Sequence, residues 1–365
     1  MKITHTDIYR YSIRIQPFTI ATGTMTYAQN MLIRLHTDEG IYGMGECSAF
    51  PVITGESQDT CLAMAKSFAS VWKGKDINPI DERLHELNLV TARNTTAKSA
   101  FDMALYDLAA KAANVPLYQF LGGSKREVET DMTIGIGSAS AMAETAVHYK
   151  QSGARIIKVK LGKNIKDDVE RIQHIRNAIG PDIKLRLDAN QGWSLEDAVY
   201  GLQAMQEFNI EFCEQPLHTG YDDYLPDLCL RSPIAIMADE SCYTYNDARK
   251  LIKAKACHSI NIKFAKSGGI FEGKKIQDIA QETNTPCMIG GMLESRLAVT
   301  ANLHFVYASP AVQYYDLDSC LIGQLEDPVI GGCTYNNYKL DLTDAAGIGA
   351  DVDESFLKNC EMQTI

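Results

Sequence analysis

No run in this 365-residue chain approaches the roughly 18 consecutive apolar residues needed to cross a bilayer. The opening MKITHTDIYRYSIRIQ alternates like a strand where a secretory leader would carry an apolar core. Positive charge is scarce as well. Lys and Arg number 35 against 46 Asp and Glu, for a formal net charge of -11. No basic cluster with interleaved aromatics offsets it, which argues against nucleic acid and anionic membranes as partners. The ten cysteines, scattered from Cys47 to Cys360, show neither CxxC nor CxxC…HxxxH spacing. In a chain too long to need staples they read as reduced core residues. The glycine pairs at Ser267–Gly269 and Ile289–Gly291 fit no phosphate-binding or dinucleotide fingerprint and are read as close backbone approach. The expectation is a soluble cytoplasmic protein acting on a small ligand, 45% hydrophobic and able to bury one large core or two.

The first third reads as strands followed by helices. Alternating runs at Ile3–Gln16, Met31–Thr37 and Ile41–Ala49, with Asp38–Gly40 as a turn, predict an antiparallel meander. Helical spacing follows at Ser57–Lys73, Asp81–Leu89 and Ala97–Ala113, and Leu121–Glu129 reads as an exit linker. Beyond residue 130, short apolar strands alternate with amphipathic helices. The strand ends carry Thr133, Lys160, Asp188, Glu214, Asp239, Lys263, Gly290 and Asp316, spaced about 24 to 28 residues apart. Eight such units predict an α/β parallel barrel, with its chemistry at the C-terminal ends of the strands.

Alternation then assigns faces. In RIIKVKLG, Ile157, Val159 and Leu161 point one way and Lys158 and Lys160 the other. An inward lysine needs partners or a lost proton, and the competing reading is that the pair snorkels out at the rim. KLRLDANQGW places Arg186, Asp188 and Asn190 on one face, and the next two strands end with Glu214 and Asp239. Any one of these carboxylates alone reads equally well as a helix cap or turn residue. Three consecutive strands delivering one each to a single mouth repel one another unless an oxygen-liganded dication binds, with Mg²⁺ favoured over zinc and Mn²⁺ as an alternative. Asn261 and Lys263 face inward on the sixth strand, half a barrel from Lys160; for Lys263 the competing reading is an ion pair with Asp239. A lysine base near pH 7 requires roughly 4 kcal/mol of destabilisation of its ammonium. Lys158, as a like charge about 6 Å from Lys160, would supply on the order of 3 kcal/mol.

The ordered set KVK (158–160), LDAN (187–190), CEQP (213–216), ADES (238–241) and NIKFAKSGG (261–269), after an α+β first third, resembles the enolase superfamily, specifically its muconate-lactonising-enzyme-like subgroup. The resemblance implies a modified TIM barrel, (β/α)₇β, over residues 126–340, capped by an α+β domain of residues 1–125 with the C-terminal tail from about 340 to 365. It implies Asp188, Glu214 and Asp239 as ligands of Mg²⁺, Lys160 and Lys263 as the acid/base pair, and Lys158 as the stabiliser of developing negative charge. The implied reaction is a 1,1-proton transfer beside a carboxylate.

The stretch YYDLDS refines this. Asp316 and Asp318 share the inward face at the end of the eighth strand, as in the dipeptide epimerases this subgroup contains, where the pair binds the substrate's α-ammonium. A turn-forming role is the competing reading. Thr133, Met292 and Gly23 match further substrate positions. The relatives acting on Ala-Glu carry an arginine in the loop after QPF. Here alignment on Phe18 places that position at Gly23, and no Arg or Lys occurs from residue 15 to 33. The expected substrates are therefore small or hydrophobic dipeptides such as Ala-Ala, with Ala-Glu as the alternative specificity. N-acylamino acid racemisation and o-succinylbenzoate synthesis are the alternative reactions. A homo-oligomer is compatible with all of these.

Overall fold

The computed structural model describes residues 1–21 and 23–365. In the N-terminal unit, β1 (Ile3–Ile20) and β2 (Gly23–Thr37) form a long antiparallel hairpin, and β3 (Tyr42–Ser48) adds beside β2. The sequence predicts that the first strand ends at Gln16 and that a loop follows. Instead, pairing continues past a register shift between Arg14 and Phe18 to Ile20 opposite Gly23. Cross-strand partners replace the missing alternation, with Phe18 opposite Met25 and the Thr19 and Thr24 hydroxyls bonded at 2.8 Å.

Helices Gln58–Trp72, Ile80–Val90 and Thr95–Ala112 cover the sheet. The first starts at a reciprocal Ser57–Thr60 cap. Trp72, Phe68 and Phe101 meet edge to face with ring centroids 5.4 to 5.5 Å apart, forming an aromatic core. The third helix, buried from Thr96 to Ala110, packs on β3 so closely that a side chain at Gly45 would run into the Ala100 carbonyl.

Eight parallel strands follow in chain order: Met132–Ile134, Ile156–Lys160, Lys184–Asp188, Ile210–Glu214, Ile236–Ala238, Ser259–Ile262, Cys287–Gly290 and Val312–Asp316. The Asp131 amide donates to the Tyr315 carbonyl (3.3 Å), joining the first strand to the eighth. Helices fill each of the seven connections, giving the expected (β/α)₇β order. Leu185, Leu187, Ile260 and Ile262 are buried against the helix layer. Phe212, Met237 and Met288, with Tyr314 packed on them, form a separate apolar plug inside the barrel. Arg186 lies 5.4 Å from the Phe212 ring and 5.2 Å from that of Tyr314.

The chain end returns to the first unit. Strand Met362–Thr364 pairs with Asp7–Tyr9 on the outer edge of β1, while Lys339–Asp341 pairs with Val128–Glu129, in what the sequence reads as linker. Buried carboxylates stitch the two units together. Glu46 on β3 accepts from the Ser295 amide (2.8 Å) and hydroxyl (2.5 Å) at the start of the barrel helix Arg296–Tyr307. Asp102 accepts from the Ile270 and Phe271 amides (2.6 and 3.1 Å) at the start of Ile270–Glu282. No helix among the described residues is long and apolar enough to cross a membrane. All ten cysteines are free thiols. Cys229, Cys257, Cys320 and Cys360 are only half-buried, so the expectation of ten core positions is too broad.

Candidate active site

Parallel register sets the layers of the barrel mouth. Lys160, Asp188 and Glu214 are direct neighbours on three adjacent strands, and Thr133, Lys158 and Arg186 form the layer beneath. Asp239 and Lys263 each sit one residue past their strand's last paired position. None of the three lysines snorkels to the rim: Lys158 is fully buried, and Lys160 and Lys263 are nearly so. The three carboxylates have no solvent exposure either.

The charges interleave. Lys160 Nζ donates to Asp188 Oδ2 at 2.6 Å. Lys158 Nζ lies 3.2 Å from the same oxygen, 2.7 Å from Glu214 Oε2 and 2.7 Å from Asp316 Oδ2. Lys263 Nζ donates to Asp239 Oδ2 at 2.8 Å and lies 4.0 Å from Glu214 Oε1. The ion pair proposed as the competing reading for Lys263 is therefore present. Lys158 is not the uncompensated like charge that the sequence argument placed beside Lys160, because three carboxylates meet it.

The titrations follow from this geometry. Burial alone would lower Lys158, but Asp316, Glu214 and Asp188 outweigh it and hold its ammonium well above the ordinary range. Burial likewise opposes the charge on Lys263, and Asp239 and Glu214 overcome it, raising its pKa. Asp188 is drawn down to about 2, since Lys160, Lys158 and Lys263 together outweigh its burial. Glu214 is pushed up to about 7 by burial and by Asp188.

Two ligand-like features escape sequence reasoning. Lys266, one turn after Lys263 on the short helix Phe264–Ser267, is buried and reaches Asp239 Oδ1 at 2.6 Å. It also donates to the Cys242 and Asn261 carbonyls, both at 3.0 Å. Asp131 is fully buried, held by Arg186 Nη1 at 2.9 Å. Its signal was available: Asp131 and Thr133 are two apart, so both face inward.

At the eighth strand, Asp316 accepts from Lys158, and Asp318 Oδ2 accepts from the Thr133 amide at 2.6 Å. A turn does follow, with the Leu321 amide donating to the Asp318 carbonyl (2.7 Å), but both carboxylates stay buried in the barrel. Carboxylate oxygens of Asp131, Asp316 and Asp318 lie within 4.8 Å of one another. The oxygens of Asp188, Glu214 and Asp239 do not close into a comparable cluster, since lysine ammoniums stand between them. Their donor set nonetheless fits a hard dication. It is all oxygen and fully buried, and neither Glu214 Oε2 nor Asp239 Oδ1 has a well-formed hydrogen bond, despite the short ion-pair contacts to Lys158 and Lys266.

The β1–β2 hairpin lies over the mouth. The Ile136 amide, beyond the first strand, donates to the Thr19 carbonyl (3.0 Å), and the Gln16 amide donates to Gly323 beyond the eighth (2.8 Å). Gly23, at φ +155°, stands at its tip with open space around its α-carbon. A cavity of about 360 Å³ opens there, lined by residues that include Gly23, Met25, Tyr27, Phe50, Val52 and Leu293, and no charged side chain lines it among the described residues. Met292, beside Leu293, is half-buried and donates its amide to Glu294 Oε2 at 2.6 Å.

Residues 3–122 match the mandelate racemase/muconate lactonizing enzyme N-terminal domain, and residues 141–356 match the enolase C-terminal domain-like family. The chain belongs to the mandelate racemase/muconate lactonizing enzyme family. As a member of that family it is an isomerase of the racemase and epimerase kind. It is 41% identical, over 99% of each chain, to a D-Ala-D/L-Ala epimerase of Cytophaga hutchinsonii. It is 38% identical to a hydrophobic dipeptide epimerase of Enterococcus faecalis, over 96% of this chain and 99% of the other. A crystal structure of the Cytophaga hutchinsonii dipeptide epimerase, complexed with Mg and D-Ala-L-Val, superposes over 100% of both chains with a TM-score of 0.98 at 40% identity.

Proposed function

We propose that this family member is a Mg²⁺-dependent dipeptide epimerase that inverts the α-carbon of the C-terminal residue, with Ala-Ala and Ala-hydrophobic dipeptides as substrates. The observation that carries the reading is the buried Asp316–Asp318 pair beside two lysines that approach from opposite sides of the mouth. In this reading the capping unit is residues 1–125 with the tail from about 340, over a barrel of 126–340. Asp188, Glu214 and Asp239 hold Mg²⁺, which supplies positive charge beside the substrate carboxylate. Lys160 and Lys263 remove and return the α-proton from opposite faces, and Lys158 donates toward the charge that develops between them. Asp316 and Asp318 take the α-ammonium beside Thr133, which excludes N-acylated substrates and o-succinylbenzoate precursors because these carry no cation there.

The uncharged cavity at the hairpin tip, with Gly23 and the Met292–Leu293 loop beside it, supports apolar second residues. A glutamate side chain would be desolvated there without a partner. The two relatives acting on Ala-Ala and on hydrophobic dipeptides agree with this choice. The test is a library of Ala-Xaa dipeptides in D₂O with Mg²⁺, scored by mass for α-deuterium. Ala-Ala and Ala-Val are expected to exchange faster than Ala-Glu, and Asp316→Asn and Asp318→Asn to lose most activity on free dipeptides. Faster exchange of Ala-Glu would sink the specificity. Exchange that survives chelation of the metal would sink the mechanism.

A further inference from the structure

The pair Asp316–Asp318 is one carboxylate short of the full cluster. Three oxygens that lie within 4.8 Å of one another, whatever the shape of their triangle, leave a point no more than about 2.8 Å from all three, which is the reach of N–H···O hydrogen bonds. An α-ammonium has three such donors. Asp131 contributes the third oxygen. Its Oδ2 is held by Arg186, while Oδ1 is buried without any hydrogen-bond partner. Lys158 pairs with Asp316 and makes no ion-pair contact with Asp131 or Asp318.

Charge does not balance there. Arg186 is shared with Glu211, and Lys158 with Asp188 and Glu214, against three buried carboxylates. We propose that Asp131 completes a three-carboxylate ammonium pocket with Asp316 and Asp318, and that the pocket holds a proton which it releases to solvent when a dipeptide binds. This rests on the dipeptide reading above.

Burial, with Asp316 next, pushes Asp318 up to about 7 and raises Asp131 well above the carboxylate range, while Lys158 holds Asp316 low. The groups facing the pair are Asp316, Lys158 and Arg186 from neighbouring strands, the Thr133 amide, and the phenols of Tyr149 and Tyr335. Below pH 7 Asp318 keeps its proton and an arriving ammonium displaces it; above pH 7 Asp318 has already given it up. The dipeptide amine, with a reference pKa of about 8, is fully charged at pH 6, while at pH 7.5 about a quarter of it is neutral and takes up a proton on entering the pocket.

The probe is Ala-Gly, which has the ammonium and carboxylate but an achiral second α-carbon, so it binds without epimerising. Its binding to the Mg²⁺-loaded enzyme is titrated calorimetrically in two buffers of different ionisation enthalpy. Close to one proton released per ligand is expected at pH 6, and close to no net release at pH 7.5, where the amine's own uptake offsets what the carboxylates still give up. N-acetyl-Ala-Gly should release none, and Asp131→Asn should cut the release at pH 6 by more than half. Buffer-independent heats with Ala-Gly in the wild-type enzyme at pH 6 overturn the proposal, whether or not the variant folds. If Asp316→Asn and Asp318→Asn leave Ala-Ala epimerisation intact, the ammonium reading itself is what fails.

Discussion

At the scale of single residues, Lys160 and Lys263 stand half a barrel apart, so the two-base reading proposed above divides the reaction between two faces of one carbon. In that reading each lysine serves the epimer whose α-hydrogen points toward it. Removing one should abolish inversion, by on the order of 10²–10⁴-fold. It should spare exchange of a single epimer, because the remaining lysine can take a proton and return deuterium on the same side. Lys160→Ala and Lys263→Ala are therefore expected to label opposite epimers in D₂O, read by mass and chiral chromatography, and labelling of the same epimer by both would refute the two-base arrangement. Gly290 is a second residue-scale constraint. A methyl group there would sit 2.6 Å from Asn261 Oδ1 and 3.0 Å from Lys263 Cε. Asn261 in turn donates to Glu214 Oε1 at 2.6 Å, so the methyl displaces both a lysine and a carboxylate. Gly290→Ala should cost about 1–3 kcal/mol in urea unfolding, with a larger fractional loss in kcat than the folded fraction explains.

Among elements, what could be read from sequence tracks how local each signal is. Barrel strands announced themselves because alternation fixed which residues point inward, and the polar strand ends recur at one pitch. Lys158, Lys160, Asp188, Glu214, Asp239 and Lys263 are buried at one mouth as that pattern requires. The hairpin tip was illegible, since residues 17–20 and 23–30 mix Thr, Gly, Met and Gln without alternation and are strands only because each supplies the other's partners. Lys266 was missed because its acceptors, the carbonyls of Cys242 and Asn261, come from other elements. Helix Arg296–Tyr307 carries a similarly nonlocal feature. His304 accepts the Tyr118 amide at Nδ1 (3.0 Å), which leaves Nε2 to donate to the Ile348 carbonyl (3.0 Å). Burial lowers its pKa to about 4. The unfolded chain takes up this proton near pH 6.5, whereas the folded chain resists until about pH 4, so stability falls as pH drops through that window. Its share is about 3 kcal/mol. Urea unfolding between pH 6.5 and 4.5 should show a shallower pH slope for His304→Gln than for wild type, and equal slopes would dismiss the role.

For the whole molecule, the candidate site lies between two units that the chain builds in sequence and then ties together with its own end. The cap supplies the uncharged cavity at the hairpin tip, the barrel supplies the charged groups, and Glu46 and Asp102 fix one against the other by capping barrel helices from the cap side. The final five residues close the outer edge of the cap sheet. The Thr6 amide donates to the Ile365 carbonyl (3.1 Å), the Ile365 amide to Thr6 (3.0 Å), and the Arg10 amide to Glu361 (2.9 Å). Ending the chain at Cys360 would expose this edge of β1, the kind of surface that recruits other strands. Backbone bonds contribute about 1 kcal/mol each, offset in part by the entropy of ordering the tail, so the loss should be about 1–3 kcal/mol. Because β1 packs chiefly on β2, the tail strand and helix Gln58–Trp72, the loss should be local. Hydrogen exchange is expected to quicken in β1 and in helix Gln58–Trp72, which packs on it, while Lys184–Asp188 and Ile210–Glu214 keep their protection. Equal acceleration in those barrel strands would mean that cap and barrel unfold as one cooperative unit, and that the tail guards the active site as well as the sheet.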